Sequence, residues 1–217
     1  CNVALFCDNF VEMVFSRNFL NVLILFITIL FITIEVKAIQ KKNAWDKQWK
    51  SNQWSYLEEV PVELCRSAII GTVLIPKYAQ SEGTILDVGC GSGILSTYLH
   101  PILRARYIGI DLSKEAISKA IQLRNVTFIE SSAEEYSPSN SNHSIVIFNE
   151  ILSYLDYKLI FKKYSSIMSS NGVFIISRYQ KHETKQFDRI LHYASQQYQN
   201  IDELILSGTT PGKDKKK

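Results

Sequence analysis

The chain has 217 residues, 46% hydrophobic and 21% charged, a balance that excludes whole-chain disorder and allows one domain of ordinary size plus a short appendage. Its formal net charge of +3 is matched by the last three residues, Lys215, Lys216 and Lys217, so the folded part is near neutral and gives no electrostatic footprint for nucleic acid. The 4 cysteines (Cys1, Cys7, Cys65, Cys90) and 4 scattered histidines show neither paired metal spacing nor disulfide-scaffold density, so no metal site is expected.

The first element is the apolar run FLNVLILFITILFITI, residues 19–34. As a helix it spans about 24 Å, somewhat short of the ~30 Å hydrocarbon core. Two readings stand. Taken from Met13, Arg17 precedes the run and Val36 and Ala38 occupy signal-peptidase positions, which is a secretory signal cleaved after Ala38. Alternatively Lys37, Lys41, Lys42, Lys47 and Lys50 outnumber the single Arg17 and hold the C-terminal side in the cytosol, which is a signal anchor. A buried core helix fits less well, since the run has no polar face. A chain that opens on Cys1, with methionine only at 13 and 168, reads as a fragment or an extended reading frame.

The segment KKNAWDKQWKSNQWSYLEEV follows, with Trp45 and Trp49 four apart on one helical face. Two readings stand for it as well: an aromatic lid, or an amphipathic helix packed on the domain. Pro61 then opens an amphipathic helix expected to stop near Pro76.

Beyond it strand and helix signals alternate. Strands are expected at 84–89, 106–113, 126–131, 144–150 and 172–178, helices at 92–103, 114–124, 157–168 and 183–198, and one more strand after residue 200. Such alternation implies an α/β, doubly wound, mostly parallel sheet with helices on both faces, preceded by an N-terminal hydrophobic helix. The expected division is a hydrophobic segment at 1–40, a folded domain at 43–210 and a basic polar tail at 211–217.

The loop ILDVGCGSG, residues 85–93, carries the chemistry. A dinucleotide fingerprint fails because Ile94 stands where a third small residue should pack, and a P-loop fails because no Gly-Lys-Ser/Thr follows. What remains is Asp87, Gly89, Gly91 and Gly93 on alternate positions. Asp87 suits a cationic ligand rather than a pyrophosphate. Asp111, eighteen residues past Gly93, stands where a second-strand acid accepts from ribose hydroxyls, while Ser113 serves as the helix cap.

The loop resembles motif I of the class I S-adenosylmethionine-dependent methyltransferases, and the resemblance continues through YIGIDLS, SSAEEY, FNEILSYL and NGVFIIS, roughly residues 55–180. It implies a Rossmann-like domain that uses S-adenosylmethionine, with Asp87, Gly89, Cys90, Gly91 and Gly93 around the cofactor. By the same resemblance Asp111 takes the ribose, Leu112 packs on the adenine, and Phe148 and Asn149 lie against the methionine part. Where the family commonly has Gly-Asp-Ala, this chain has Ser131, Ser132 and Ala133 followed by Glu134; either Ser132 or Glu134 reads the adenine amino group. Glu150 and Tyr154, four apart, are expected to face the acceptor from one helical face.

No Pro-Pro-Tyr/Phe follows Asn149, so the implied acceptor is a small molecule; no nucleic acid partner is expected, and the oligomeric state is not legible. The acceptor itself and any catalytic group are not identified by the sequence. The alternative is a non-catalytic cofactor-binding or scaffold protein of the same fold, motivated by Ser132 and by the lack of an apolar run after Pro211 for a last strand. Because S-adenosylmethionine is made in the cytosol, a cytosol-facing anchor or a cytoplasmic enzyme is the favoured location, with a secretory signal still open.

Overall fold

The structure, a computed structural model, describes residues 17–120, 124–139, 142–178 and 185–205, with side chains from residue 22 onward. The expected tail at 211–217 lies outside the described residues. The chain divides into two units, residues 1–42 and 43–217.

Helix α1, Arg17–Lys50, runs for 34 residues, well beyond the apolar run, because neither glycine nor proline interrupts residues 35–50. In the first unit its large apolar side chains are exposed, Phe26 by 73% and Phe31 by 63%. The hydroxyls of Thr28 and Thr33 donate back to the Ile24 and Ile29 carbonyls at 2.8 and 2.7 Å, so they need no water. The helix is long and apolar enough to cross a membrane by length and composition.

The second unit continues with α2 (Tyr56–Glu59), α3 (Pro61–Ile69), a π-helical turn (Ile70–Leu74) and α4 (Ile75–Tyr78). The helix expected to end near Pro76 therefore continues to Tyr78. Pro76 has no N–H to give and its ring crowds the preceding turn, and the widened turn in front of it accommodates both.

The remaining elements are β1 (Thr84–Val88), α5 (Ile94–Thr97), α6 (Pro101–Arg104), β2 (Tyr107–Asp111), α7 (Lys114–Lys119), β3 (Thr127–Glu130), β4 (His143–Asn149), a 3-10 turn (Leu152–Tyr154), α8 (Tyr157–Ser165), β5 (Met168–Ser177) and α9 (Lys185–Gln197). The single helix expected at 92–103 is split in two. Pro101 starts a new helix whose cap is His100, the ring accepting from the Ile102 N–H at 3.4 Å. Residues 201–205, expected as a strand, have no regular structure and are exposed; Asp202 ties them to Lys77 and Tyr78 at 2.9 Å each.

The five strands among the described residues are all parallel, in the order β3-β2-β1-β4-β5. Both sheet faces are covered, which explains why β1 and β4 read as continuous apolar runs rather than alternating ones. On one face Ile85, Ile145, Ile147 and Tyr107 pack with Ile70, Ile75, Leu95 and Leu99 from the α3 to α5 segments. On the other, Leu86, Val88, Ile110, Val146 and Phe148 pack with α8 and α9. Strand order reverses between β1 and β4, so the carboxyl ends of these two strands flank the crevice where doubly wound sheets hold ligands.

Candidate functional site

The loop after β1 turns back sharply on three positive-φ glycines, Gly89 at 75°, Gly91 at 56° and Gly93 at 74°. At Gly91 a Cβ would meet the indole of Trp49 at 2.9 Å, and at Gly93 it would run into the Phe128 ring, so both positions need glycine for conformation and for room. The Gly89 and Cys90 N–H groups donate to Ile110 at 2.8 and 2.9 Å, locking the loop to the end of β2.

Asp87 is buried on the α3 side of the sheet, 2% exposed. Its Oδ2 accepts from the Tyr107 hydroxyl at 2.6 Å, and its Oδ1 is buried with no hydrogen-bond partner among the described residues. Burial pushes its carboxyl up to about 7; the Tyr107 hydrogen bond pulls the other way and Asp111 adds to the rise. The space beside these glycines is filled by the chain's own Ile151, Trp49 and Phe128 side chains, so the feature that fits a cationic ligand is the orphaned, buried Asp87 oxygen at the strand end.

Asp111 accepts from the Gly91 N–H at 3.0 Å through Oδ2 and from the Ser113 N–H at 2.8 Å through Oδ1. Burial raises its carboxyl, while those two amides oppose the rise. Ser113, not Asp111, caps α7, its Oγ accepting from Ala116 at 3.2 Å, as the sequence predicts. Leu112 beside it is half-buried. Cys90 is buried and its thiol is raised well above the usual range, first by burial and then by Asp87, which disfavours the nucleophilic thiolate.

The lead-in to the domain lies over this loop. Asp46 accepts from the Ser113 hydroxyl at 2.6 Å and the Glu115 N–H at 3.3 Å; Trp49, 6% exposed, rests on Gly91. Ser92 donates to Glu58, and Lys119 donates to the Trp49 carbonyl and to Asn52, both at 2.6 Å. A cleft of about 330 Å³ opens here, lined by Trp49, Asn52, Ser55, Glu58 and Lys119. Trp45 stacks on Trp54 at 5.5 Å and meets Tyr154 edge-on at 5.1 Å.

At the end of β4, Asn149 and Glu150 meet Arg66 of α3, at 3.0 Å from Asn149 Oδ1 and 3.5 Å from the Glu150 carboxylate. Glu150 is held at φ 62°, a strained conformation for a residue with a side chain. Glu150 and Tyr154 do not share a helical face as expected, because the chain turns at Glu150 and only Leu152–Tyr154 is helical, as a 3-10 turn. Tyr56 stands close enough to feel both. Its phenol is raised by burial first and by Glu63 next, with Tyr154 and Glu150 adding and Arg66 opposing.

The structure also places the side chains of Phe148, Ser132, Ala133 and Glu134. The Phe148 ring is fully buried on the opposite face from Asp87, against Phe161, Tyr164 and Phe174 at 5.8, 5.5 and 5.6 Å, so only its backbone reaches the crevice. Ser132 is buried, with its Oγ accepting from the Glu135 N–H at 3.0 Å in the turn after β3; Ala133 is buried beside it and accepts from the Tyr164 hydroxyl, and Glu134 is exposed. The residues the sequence did not mark are Asp46, Arg66, Tyr107 and Ser177. Glu63 and Arg66 at i and i+3 on a helix whose face is otherwise buried were the available signal for one of them.

Residues 79–215 match a family model described as a methyltransferase domain, and that stretch is more than half of the chain. The chain belongs to this methyltransferase family. The methyltransferase shares its fold with the plantazolicin methyltransferase BpumL in complex with SAH, at 16% identity and a TM-score of 0.54 over 78% of this chain and 80% of that one. The same enzyme with SAH and a pentazolic desmethylPZN analog aligns at 17% identity and a TM-score of 0.53, covering 76% and 79% of the two chains. Its complex with a triazolic analog gives 17%, 0.52, 76% and 78%.

Proposed function

We propose that the protein transfers a methyl group from S-adenosylmethionine to a small-molecule acceptor at the carboxyl ends of β1, β2 and β4. The observation that carries this is the buried, unpartnered Asp87 oxygen at the carboxyl end of β1, next to the glycine turn. Asp87 would hold the cationic end of the cofactor, the Gly91 loop its backbone-facing edge, and Asp111 with Leu112 the adenosine. The cofactor supplies a methyl group already activated on a sulfonium.

The chain's own task is then to bind, orient and exclude water, for which no catalytic triad is required. Trp45, Trp54 and Tyr154 offer aromatic surface that attracts a cation, and Glu150, paired with Arg66 at the end of β4, would serve as proton acceptor for an acceptor that must lose one. We further infer that α1 anchors the enzyme with its domain in the cytosol, where the cofactor is made; the lysines at 37, 41, 42, 47 and 50 support this orientation.

The test uses the full chain in detergent micelles, S-adenosylmethionine labelled in its methyl group, and a metabolite extract. Label should move into a discrete small molecule with the native chain and not with Asp87→Ala. Cofactor binding without transfer to any fraction would support the non-catalytic alternative instead.

A further inference from the structure

The carboxamide of Asn149 has a forced orientation. Arg66 Nε donates to Asn149 Oδ1 at 3.0 Å, and the Ser177 hydroxyl donates to the same oxygen at 2.5 Å. A guanidinium has no acceptor, so the oxygen must face it and the NH2 group must point away. Arg66 is itself only 11% exposed and its other nitrogens are taken by Glu63 at 2.5 Å and Glu150 at 3.5 Å. With one nitrogen bonded to Asn149 and the other two beside carboxylates, Arg66 is positioned to hold its neighbours.

The displayed amide belongs to the same crevice as Asp87. Ile145 and Ile147 of β4 pack with Ile85 of β1 in the cluster under α3 and α4, so by strand alternation Asn149 and Asp87 emerge on that one face. Asp87 pairs with Ile147, and Asn149 lies two residues further along the neighbouring strand. That places the two side chains about 8 Å apart, from a rise of about 3.3 Å per residue and about 4.8 Å between strands. An α-amino acid end, with its ammonium and carboxylate about 3 Å apart and a hydrogen bond of about 2.9 Å at each, spans this gap.

We propose that Arg66 and Ser177 are positioning residues that lock the Asn149 carboxamide as a hydrogen-bond donor to the α-carboxylate of S-adenosylmethionine, opposite the Asp87 carboxylate at the ammonium. This rests on the cofactor reading above. Asn149→Asp separates the two parts of the claim, because an aspartate of nearly the same shape still accepts from Arg66 and Ser177 but has no NH2.

The full chain in micelles is titrated calorimetrically with S-adenosylhomocysteine and with 5′-methylthioadenosine, which has the nucleoside and sulfur but no amino acid. Asn149→Asp should weaken S-adenosylhomocysteine by about 10- to 100-fold and change 5′-methylthioadenosine less than about 2-fold. If Asn149→Asp does not fold, Ser177→Ala, which removes one of the two donors and leaves the ion pairs intact, should show the same selectivity at about 3-fold. Equal weakening of both ligands, or unchanged affinity for S-adenosylhomocysteine, overturns the proposal. A native chain that binds neither ligand overturns the cofactor reading itself, which is a different result.

Discussion

Asp87 is a buried acid whose ionised form is disfavoured in the free protein, with its carboxyl raised to about 7. The folded chain then binds this proton more tightly than the unfolded chain does. The resulting stability is present in acid and is lost as the pH rises from about 4 through about 7. Asp87→Asn, which still accepts from Tyr107, should remove that loss and make the free protein more stable than the native chain at pH 8, by about 2 to 4 kcal/mol, with little difference at pH 4. Urea unfolding at the two pH values checks this; equal stabilities at both would show that Asp87 is not held in a desolvated site. The same replacement should weaken S-adenosylhomocysteine binding, so at this residue stability and function oppose each other.

At the scale of elements, the loop between β1 and α5 stores conformations that only glycine holds cheaply. Gly93→Ala must take φ near 74° and push the Phe128 ring aside, and should cost about 1 to 3 kcal/mol in chemical unfolding; a cost under about 0.5 kcal/mol would mean the loop relaxes freely. The lead-in is tied down by Asp46, and Asp46→Ala, which leaves Ser113 and the Glu115 N–H without their acceptor, should loosen it. Iodide quenching of Trp49 fluorescence should then increase; unchanged quenching would mean that packing alone holds the segment.

These elements also show what sequence can carry. The strands and the glycine loop were legible because burial on both faces leaves continuous apolar runs, and because a tight strand-to-helix turn needs its glycines at fixed spacing. Cap chemistry at Ser113 was legible for the same local reason. Arg66 was not, since its meaning depends on Asn149, 83 residues away. The direction of the Phe148 ring was not legible, because adjacent strand residues face opposite sides and only the sheet's packing shows which side is the crevice. Pro76 was read as a stop because a π-helical turn has no sequence signature.

For the whole molecule, the proposed anchoring by α1 rests on its length and exposed apolar side chains, and it is open to a direct test. The full-length protein made in cells should remain in the membrane fraction after alkaline carbonate extraction, with Cys65 of the domain unreactive to an impermeant thiol reagent added outside intact cells. An N-terminus beginning at Ile39, after cleavage behind Ala38, would replace the anchor by a secretory signal.

The central claim is that a cationic cofactor sits between Asp87 and the Gly89–Gly93 loop. Calorimetric titration of the native chain and of Asp87→Ala with S-adenosylhomocysteine tests it most directly. We predict saturable binding by the native chain and an affinity at least about tenfold lower for a folded Asp87→Ala. A folded native chain that releases no heat of binding, or an Asp87→Ala chain that binds equally well, would contradict it.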